Sequence, residues 1–208
     1  MHYYYKKYPY LNYKLRDWTG FSAVMFSIPV ARLVKMYEAR MGHGPQSFFD
    51  CGAATGELVR QADELGLDVG GIEIKKYPII PKCNKKYFSS GQIKIGSILN
   101  SPSVVADLAY CNGTLTYMNE QTLPLVLEKF NTVDMLIAIH NTSEDVLAAA
   151  RRGDRLVHFG EDRLIRPHQW WMNMFKEMGF IVDYDKEHGC YCVMPGRLKQ
   201  RMQLLKSR

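Results

Sequence analysis

The chain has 208 residues, of which 47% are hydrophobic and 23% charged. These values are typical of one globular domain and exclude a wholly disordered chain. No apolar run approaches the roughly 18 residues that a membrane span needs, and the first residues lack the apolar core of a signal peptide. We therefore expect a cytoplasmic protein, or one of the host cytoplasm if a phage or virus encodes it. Five cysteines without a Cys-x-x-Cys pair predict neither a disulfide framework nor a metal site.

The positive charge is concentrated at the two ends of the chain. The formal net charge is +6 and the isoelectric point is about 9.0. The first 17 residues carry +3 and residues 197–208 carry +5, which leaves −2 for the residues between them. Basic ends are one way to hold nucleic acid, so nucleic acid is an alternative partner.

We predict three parts: an aromatic and basic N-terminal segment with a helix (1–45, a candidate lid), a central domain (46–196) and a basic tail (197–208).

The first predicted element is a helix that begins near Pro29. Proline fits the first turn of a helix, and Gly42 suits the left-handed position that ends one. Between them, five apolar residues fall on one helical face: Val30, Leu33, Val34, Tyr37 and Met41.

From residue 47 onwards, short apolar runs alternate with helical segments. The predicted strands cover 47–50, 67–74, 92–98, 104–112 and 133–141, with a further short strand or turn at 155–160. The predicted helices cover 56–66, 121–130 and 166–179. Residues 180–185 and 190–195 are predicted to form an antiparallel pair. Alternating strands and helices are typical of an α/β fold whose mostly parallel sheet is covered by helices on both faces.

A glycine-rich turn and a later acid point to a nucleoside ligand. Asp50 ends the first strand, and the turn after it has small residues at 52, 54 and 56, which let a ligand approach the backbone. Glu73 ends the second strand, where a carboxylate can accept both hydroxyls of a ribose. A dinucleotide motif would need glycine or alanine at position 57, where Glu57 stands.

The spacing Asp-x-Gly-x-Ala-x-Gly over residues 50–56 resembles the first motif of the class I S-adenosylmethionine-dependent methyltransferases. Residues 106–118 and the closing helix with its strand pair also resemble that family. The resemblance implies a Rossmann-like fold with a seven-stranded sheet and S-adenosylmethionine as cofactor, with S-adenosylhomocysteine as product. It departs at Ser97, because the acid that the family usually has beside the adenine is absent there. The implied cofactor-binding residues are Asp50, Cys51, Gly52, Ala53, Gly56, Glu73, Ile74, Ser97, Ile98 and Asn112.

Candidate catalytic residues follow strands four and five, because ligands of α/β sheets bind at the carboxyl ends of the strands. We predict Asn112, Tyr117 and His140. His140 could act as a base, since an ordinary imidazole has a pKa near 6.5; the alternative that it caps the next turn stays open. The expected reaction is in-line methyl transfer to an oxygen or nitrogen atom of a small molecule. The alternatives are an RNA or DNA methyltransferase and a non-catalytic binding protein that retains the fold.

Overall fold

The structure is a computed structural model that describes residues 28–74, 82–140, 142–151 and 164–198. Its strands are β1 (Ser47–Cys51), β2 (Asp68–Glu73), β3 (Ile93–Ile95), β4 (Leu108–Asn112), β5 (Met135–Ile139), β6 (Phe180–Asp185) and β7 (Cys190–Pro195). Its helices are α1 (Val30–Met41), α2 (Glu57–Glu64), α3 (Lys85–Ser89), α4 (Thr122–Glu128), α5 (Ser143–Arg151) and α6 (His168–Glu177).

The strands form one seven-stranded sheet in the order β3-β2-β1-β4-β5-β7-β6. Strands β1 to β5 pair in parallel, while β7 runs antiparallel to both β5 and β6. This confirms the predicted mostly parallel sheet and the antiparallel pair at its end. The order reverses between β1 and β4, which is the switch point where α/β folds bind ligands at the carboxyl ends of the strands.

The sheet separates two apolar cores. Successive side chains of a strand point to opposite faces, so Phe48 of β1 and Tyr110 of β4 pack on the side of α1 and α2. Cys51 and Ala109 pack on the other side, against α4 and α6. The strands are therefore buried on both faces, which explains their continuous apolar runs in the sequence.

Helix α1 is part of the same packed unit as the sheet. Leu33 and Tyr37 are fully buried in the first core, and the Ile28 N–H donates to the Tyr110 hydroxyl at 3.2 Å. The predicted division at residue 45 thus falls between two elements that share a core. Leu198, just beyond the predicted division at 196, is also buried in that core. Residues 1–27 of the candidate lid segment (1–45) and residues 199–208 of the predicted tail (197–208) lie outside the described residues.

Several elements differ from the predicted ones. Strand β3 has only three residues, because Ser97 accepts a hydrogen bond from the Leu99 N–H and begins a 3-10 turn. Helix α5 was not predicted, although its start carries a reciprocal cap in which the Thr142 N–H donates to Asp145 and the Asp145 N–H donates to the Thr142 hydroxyl. The predicted strand or turn at 155–160 lies outside the described residues. Among the described helices, none is long and apolar enough to cross a bilayer.

Candidate functional site

The turn between β1 and α2 has three residues in the left-handed backbone region. Gly52 and Gly56 have φ angles of 89° and 81°, and Ala54 has a φ of 49°. Glycine adopts this region without a steric cost, whereas an L-residue pays about 1–2 kcal/mol. Ala54 therefore keeps the backbone path of the glycine that it replaces in the motif. The turn is bound to β2, since the Gly52 and Ala53 N–H groups donate to the Ile72 carbonyl at 2.9 and 3.0 Å.

The segment after β4 packs directly against this turn. The Thr114 hydroxyl donates to the Cys51 carbonyl at 3.0 Å. A Cβ atom on Gly52 would lie 2.1 Å from the Thr114 Oγ1 atom. Only glycine allows the two loops to meet here, so Thr114 holds together the loops that follow β1 and β4.

We expect Gly52→Ala to lower the free energy of unfolding by about 2–5 kcal/mol, through left-handed strain and the overlap with Thr114 together. Gly91→Ala is the matched control, since Gly91 has a φ of 80° and an added Cβ would meet nothing within 4 Å. The control should lose only the strain, about 1–2 kcal/mol. Urea unfolding of both variants measures the difference. Equal losses would show that the close approach to Thr114 contributes nothing.

Glu73 is held in place by the backbone of the same turn. It is only 6% exposed, and its Oε2 atom accepts from the Ala54 N–H at 2.7 Å while its Oε1 atom accepts from the Ile74 N–H at 2.9 Å. A carboxylate has about four acceptor sites, so these two bonds orient the group and leave acceptor capacity for a diol. Ile74, directly after it, is 71% exposed.

Asp50 lies one strand away, and this residue is only 3% exposed. Burial raises the pKa of Asp50 to about 7, and the nearby Glu73 charge adds to the effect. Unlike Glu73, Asp50 receives no hydrogen bond on its carboxyl group from the described residues. Burying an unpaired carboxylate is costly, so a positive ligand group beside Asp50 would favour its charged form.

The other predicted cofactor residues fall into two groups. Cys51, Ala53 and Ile98 are buried in the cores, so their side chains serve packing. Ser97 and Asn112 are half-buried at the ends of their segments. Asp50, Glu73 and the glycine turn therefore form the cluster that the sequence predicted, with Asn112 on the neighbouring strand end.

His140 lies in an aromatic cluster under α6. Its ring is 3.8 Å from the Trp171 ring and is stacked on the Tyr191 ring at 4.6 Å, between centroids. The side chain is 5% exposed. Burial, with a smaller effect of His168, lowers the pKa of His140 to about 3. The imidazole is neutral at neutral pH, but a group with this pKa is an inefficient proton acceptor there. Its role as a base stays a prediction.

Tyr117 ends a short 3-10 turn that follows β4, and 60% of it is exposed. This position at the rim of the carboxyl edge suits a residue that meets an acceptor, and its catalytic role stays a prediction. Asp107, in contrast, lies at the opposite end of β4, where its carboxylate accepts from the N–H groups of Gln46 and Ser47. Asp107 therefore ties the starts of β4 and β1 together.

The sequence did not reveal which residues brace the carboxyl end of β5. The Glu144 carboxylate accepts from the His168 N–H at the start of α6, at 3.1 and 3.2 Å, and backbone hydrogen bonds lower the pKa of Glu144. The His168 Nδ1 atom lies 2.8 Å from the Tyr191 hydroxyl oxygen. The Thr142-Ser-Glu-Asp145 motif could have indicated the start of α5, but no local signal pairs Glu144 with α6.

The comparisons with known proteins identify the fold. No family model and no curated protein matches the chain. Among solved structures, a small RNA methyltransferase matches with a TM-score of 0.58 and 15% identity, over 80% of this chain and 25% of its own. Human N-acetylserotonin methyltransferase in complex with SAM matches with a TM-score of 0.55 and 17% identity, over 79% of this chain and 51% of its own.

A third structure is similar over most of both chains. A sugar N-methyltransferase from Streptoalloteichus matches with a TM-score of 0.61 and 12% identity, over 82% of this chain and 87% of its own. This chain spans only a quarter of the small RNA methyltransferase. It spans about half of the human N-acetylserotonin methyltransferase. At such identities the likeness concerns the fold. The chain has the Rossmann-like class I methyltransferase fold, as the sequence predicted.

Proposed function

We propose that the protein is an S-adenosylmethionine-dependent methyltransferase that modifies an oxygen or nitrogen atom of a small molecule. One observation carries the proposal: two buried carboxyl groups, Asp50 and Glu73, stand at the carboxyl ends of adjacent strands beside a left-handed glycine turn. This combination suits a ligand with both a ribose and a positive charge. The fold shared with known methyltransferases supports it.

The residues of the turn fit this cofactor. Glu73 is oriented by two backbone N–H groups and keeps acceptor capacity for the ribose hydroxyls. Asp50 is a buried acid that an ammonium or a sulfonium would stabilise in its charged form. Exposed Ile74 offers an apolar surface for the adenine. A phosphate-bearing dinucleotide would instead place more negative charge beside these two acids.

The cofactor supplies an activated methyl group on a sulfonium, so the protein mainly has to hold the acceptor in line with it. The acceptor atom would form a bond to the methyl carbon as the sulfur–carbon bond breaks, and the proton of the acceptor would leave to a base or to solvent. Asn112 and Tyr117 would orient the acceptor from the end of β4. His140 would form a hydrogen bond to the acceptor from the end of β5, as a neutral side chain.

Part of the positive charge on the described residues is already paired with carboxylates. Six of the described basic side chains lie within 4.0 Å of a carboxylate, namely those of Arg32, Arg40, Arg60, Lys86, Arg166 and Arg197. Phosphate binding would have to compete with these pairs. A nucleic-acid substrate would rely on the basic ends, so it remains the alternative partner.

Incubation with methyl-labelled S-adenosylmethionine and fractionated metabolite pools tests the activity. We expect label in a low-molecular-weight product, and far less label with Glu73→Ala at the same cofactor concentration, provided that thermal unfolding shows this variant to be folded. Label in RNA or DNA alone would favour the nucleic-acid alternative. No transfer to any pool, from a cofactor that nevertheless binds, would favour a non-catalytic binding protein.

A further inference from the structure

Two buried polar side chains lie side by side without hydrogen bonds. Both ring nitrogens of His140 and the Nε1 atom of Trp171 are buried and have no hydrogen-bond partner among the described residues. Each such group destabilises the folded protein relative to a group whose hydrogen bonds are made. Buried polar groups are almost always paired, with protein or with water, so a bound group that pairs with these atoms would be stabilised here.

The pair lies beside the candidate acceptor residues. His140 directly follows β5, whose last residue, Ile139, is in register with Asn112 of β4. The Gly113 N–H donates to the Ile139 carbonyl at 2.7 Å, which joins the two strand ends. Trp171 lies in the first turn of α6, the helix that Glu144 caps at this same edge. A ligand group that reaches this pair therefore belongs to a molecule bound at the carboxyl ends of β4 and β5.

The surroundings of the pair are planar and aromatic. The Tyr191 ring is within 8° of parallel to the His140 ring. Trp170 meets Trp171 edge-on at 5.1 Å, and Phe175 lies 6.5 Å from His140. Rings pack well against rings in offset or edge-on arrangements, so a flat aromatic ligand that enters beside this cluster would extend the same packing.

The hydrogen-bonding capacities of the pair favour a neutral group that both donates and accepts, of which a hydroxyl is the smallest. A neutral imidazole has one donor and one acceptor, and an indole has a donor only. A hydroxyl can donate to the imidazole and accept from the indole at once. An ammonium has no acceptor for the indole, and a carboxylate would bring a charge into an apolar site.

We propose that His140 and Trp171 form the polar end of an acceptor subsite that recognises the hydroxyl group of a planar aromatic molecule. This inference rests on the proposed function and narrows it to hydroxylated aromatic acceptors. His140 and Trp171 act there as specificity-determining residues.

Nuclear magnetic resonance tests the subsite without turnover. The ¹⁵N-labelled protein, with and without S-adenosylhomocysteine, is titrated with phenol, catechol and 2-naphthol and with the corresponding methyl ethers. The Trp171 indole signal is assigned by its loss in Trp171→Phe, and the His140 ring nitrogens by their loss in His140→Phe. We expect at least one hydroxylated compound to shift both sets of signals, while its methyl ether binds at least tenfold more weakly.

Trp171→Phe keeps the aromatic wall and removes the indole N–H. It should weaken binding of that compound by about fivefold to tenfold, the effect of one hydrogen bond, and leave the affinity for S-adenosylhomocysteine unchanged. If S-adenosylhomocysteine binds and no hydroxylated compound shifts these signals, the subsite is refuted while the proposed function stands. Equal binding of alcohols and ethers also refutes it. If S-adenosylhomocysteine does not bind, both proposals fail.

Discussion

Replacing Glu73 by alanine should lower the affinity for S-adenosylmethionine by about 100-fold or more. A carboxylate that accepts both ribose hydroxyls makes two hydrogen bonds to a charged group, each contributing about 1.5–3 kcal/mol. The variant also removes the acceptor of the Ala54 N–H, which the wild-type carboxylate binds at 2.7 Å. Ala54, the left-handed residue at the centre of the turn, then has no carboxylate to hold its N–H group in place. This lowers the affinity for the cofactor further.

Glu64→Ala is the matched control for this variant. Glu64 lies at the end of α2, on the helix that follows the turn, and its side chain is 60% exposed in an ion pair with Arg60. Such a surface pair contributes little to stability, so the control should bind the cofactor like the wild type. Calorimetric titration of both variants with S-adenosylmethionine measures the two affinities. If Glu73→Ala binds as tightly as Glu64→Ala, the role of Glu73 in ribose binding is refuted.

Replacing Asp50 by asparagine should weaken the cofactor and remove the pH dependence of its binding. In the free wild-type protein the pKa of Asp50 is about 7, and a bound cation favours the ionised form. Affinity should therefore rise with pH, by up to about tenfold per unit below pH 7. Binding is measured between pH 5.5 and 7.5, where the amino group of the cofactor itself stays mostly protonated. Asp50→Asn should show a flat profile and an affinity at pH 7.5 at least about tenfold below that of the wild type.

The same substitution should stabilise the protein without ligand. The folded pKa of about 7 lies above the ordinary value of 3.8. The folded state therefore binds the proton more tightly, and this stabilising contribution is present at pH 4 and lost as the pH rises through 7. At pH 8 we expect Asp50→Asn to raise the free energy of unfolding by about 2–4 kcal/mol, and by much less at pH 4. Lower stability of the variant at pH 8, or a wild-type affinity that does not vary with pH, would contradict the role assigned to Asp50.

The sheet and its glycine turn were predictable because local patterns determine them. Continuous apolar runs separated by helical segments indicate parallel strands that are covered on both faces. The spacing of Gly52, Ala54 and Gly56 after Asp50 places a left-handed turn at a strand end, and the acid at the end of the next strand follows from the order of elements. The observed φ angles and the contacts of Glu73 agree with that reading.

The rest depends on contacts between residues far apart in the sequence. Nothing local shows that Thr114 meets Gly52, because the contact joins loops that lie about 60 residues apart. An ordinary imidazole pKa makes His140 a candidate base, but residues of α6 and β7 bury the ring, and burial lowers its pKa. The side chain of Ile98, one of the implied cofactor-binding residues, packs into the core, and this packing has no local signal in the sequence.

Binding of the cofactor to the unmodified protein tests the central claim most directly. Calorimetric titrations with S-adenosylmethionine, S-adenosylhomocysteine and NAD at pH 7.5 compare the ligands that could occupy this turn. We expect both sulfur compounds to bind with one site per chain and NAD to show no measurable binding. Binding of NAD in preference to the sulfur compounds, or no binding of either sulfur compound, would contradict the assignment of this protein as a methyltransferase.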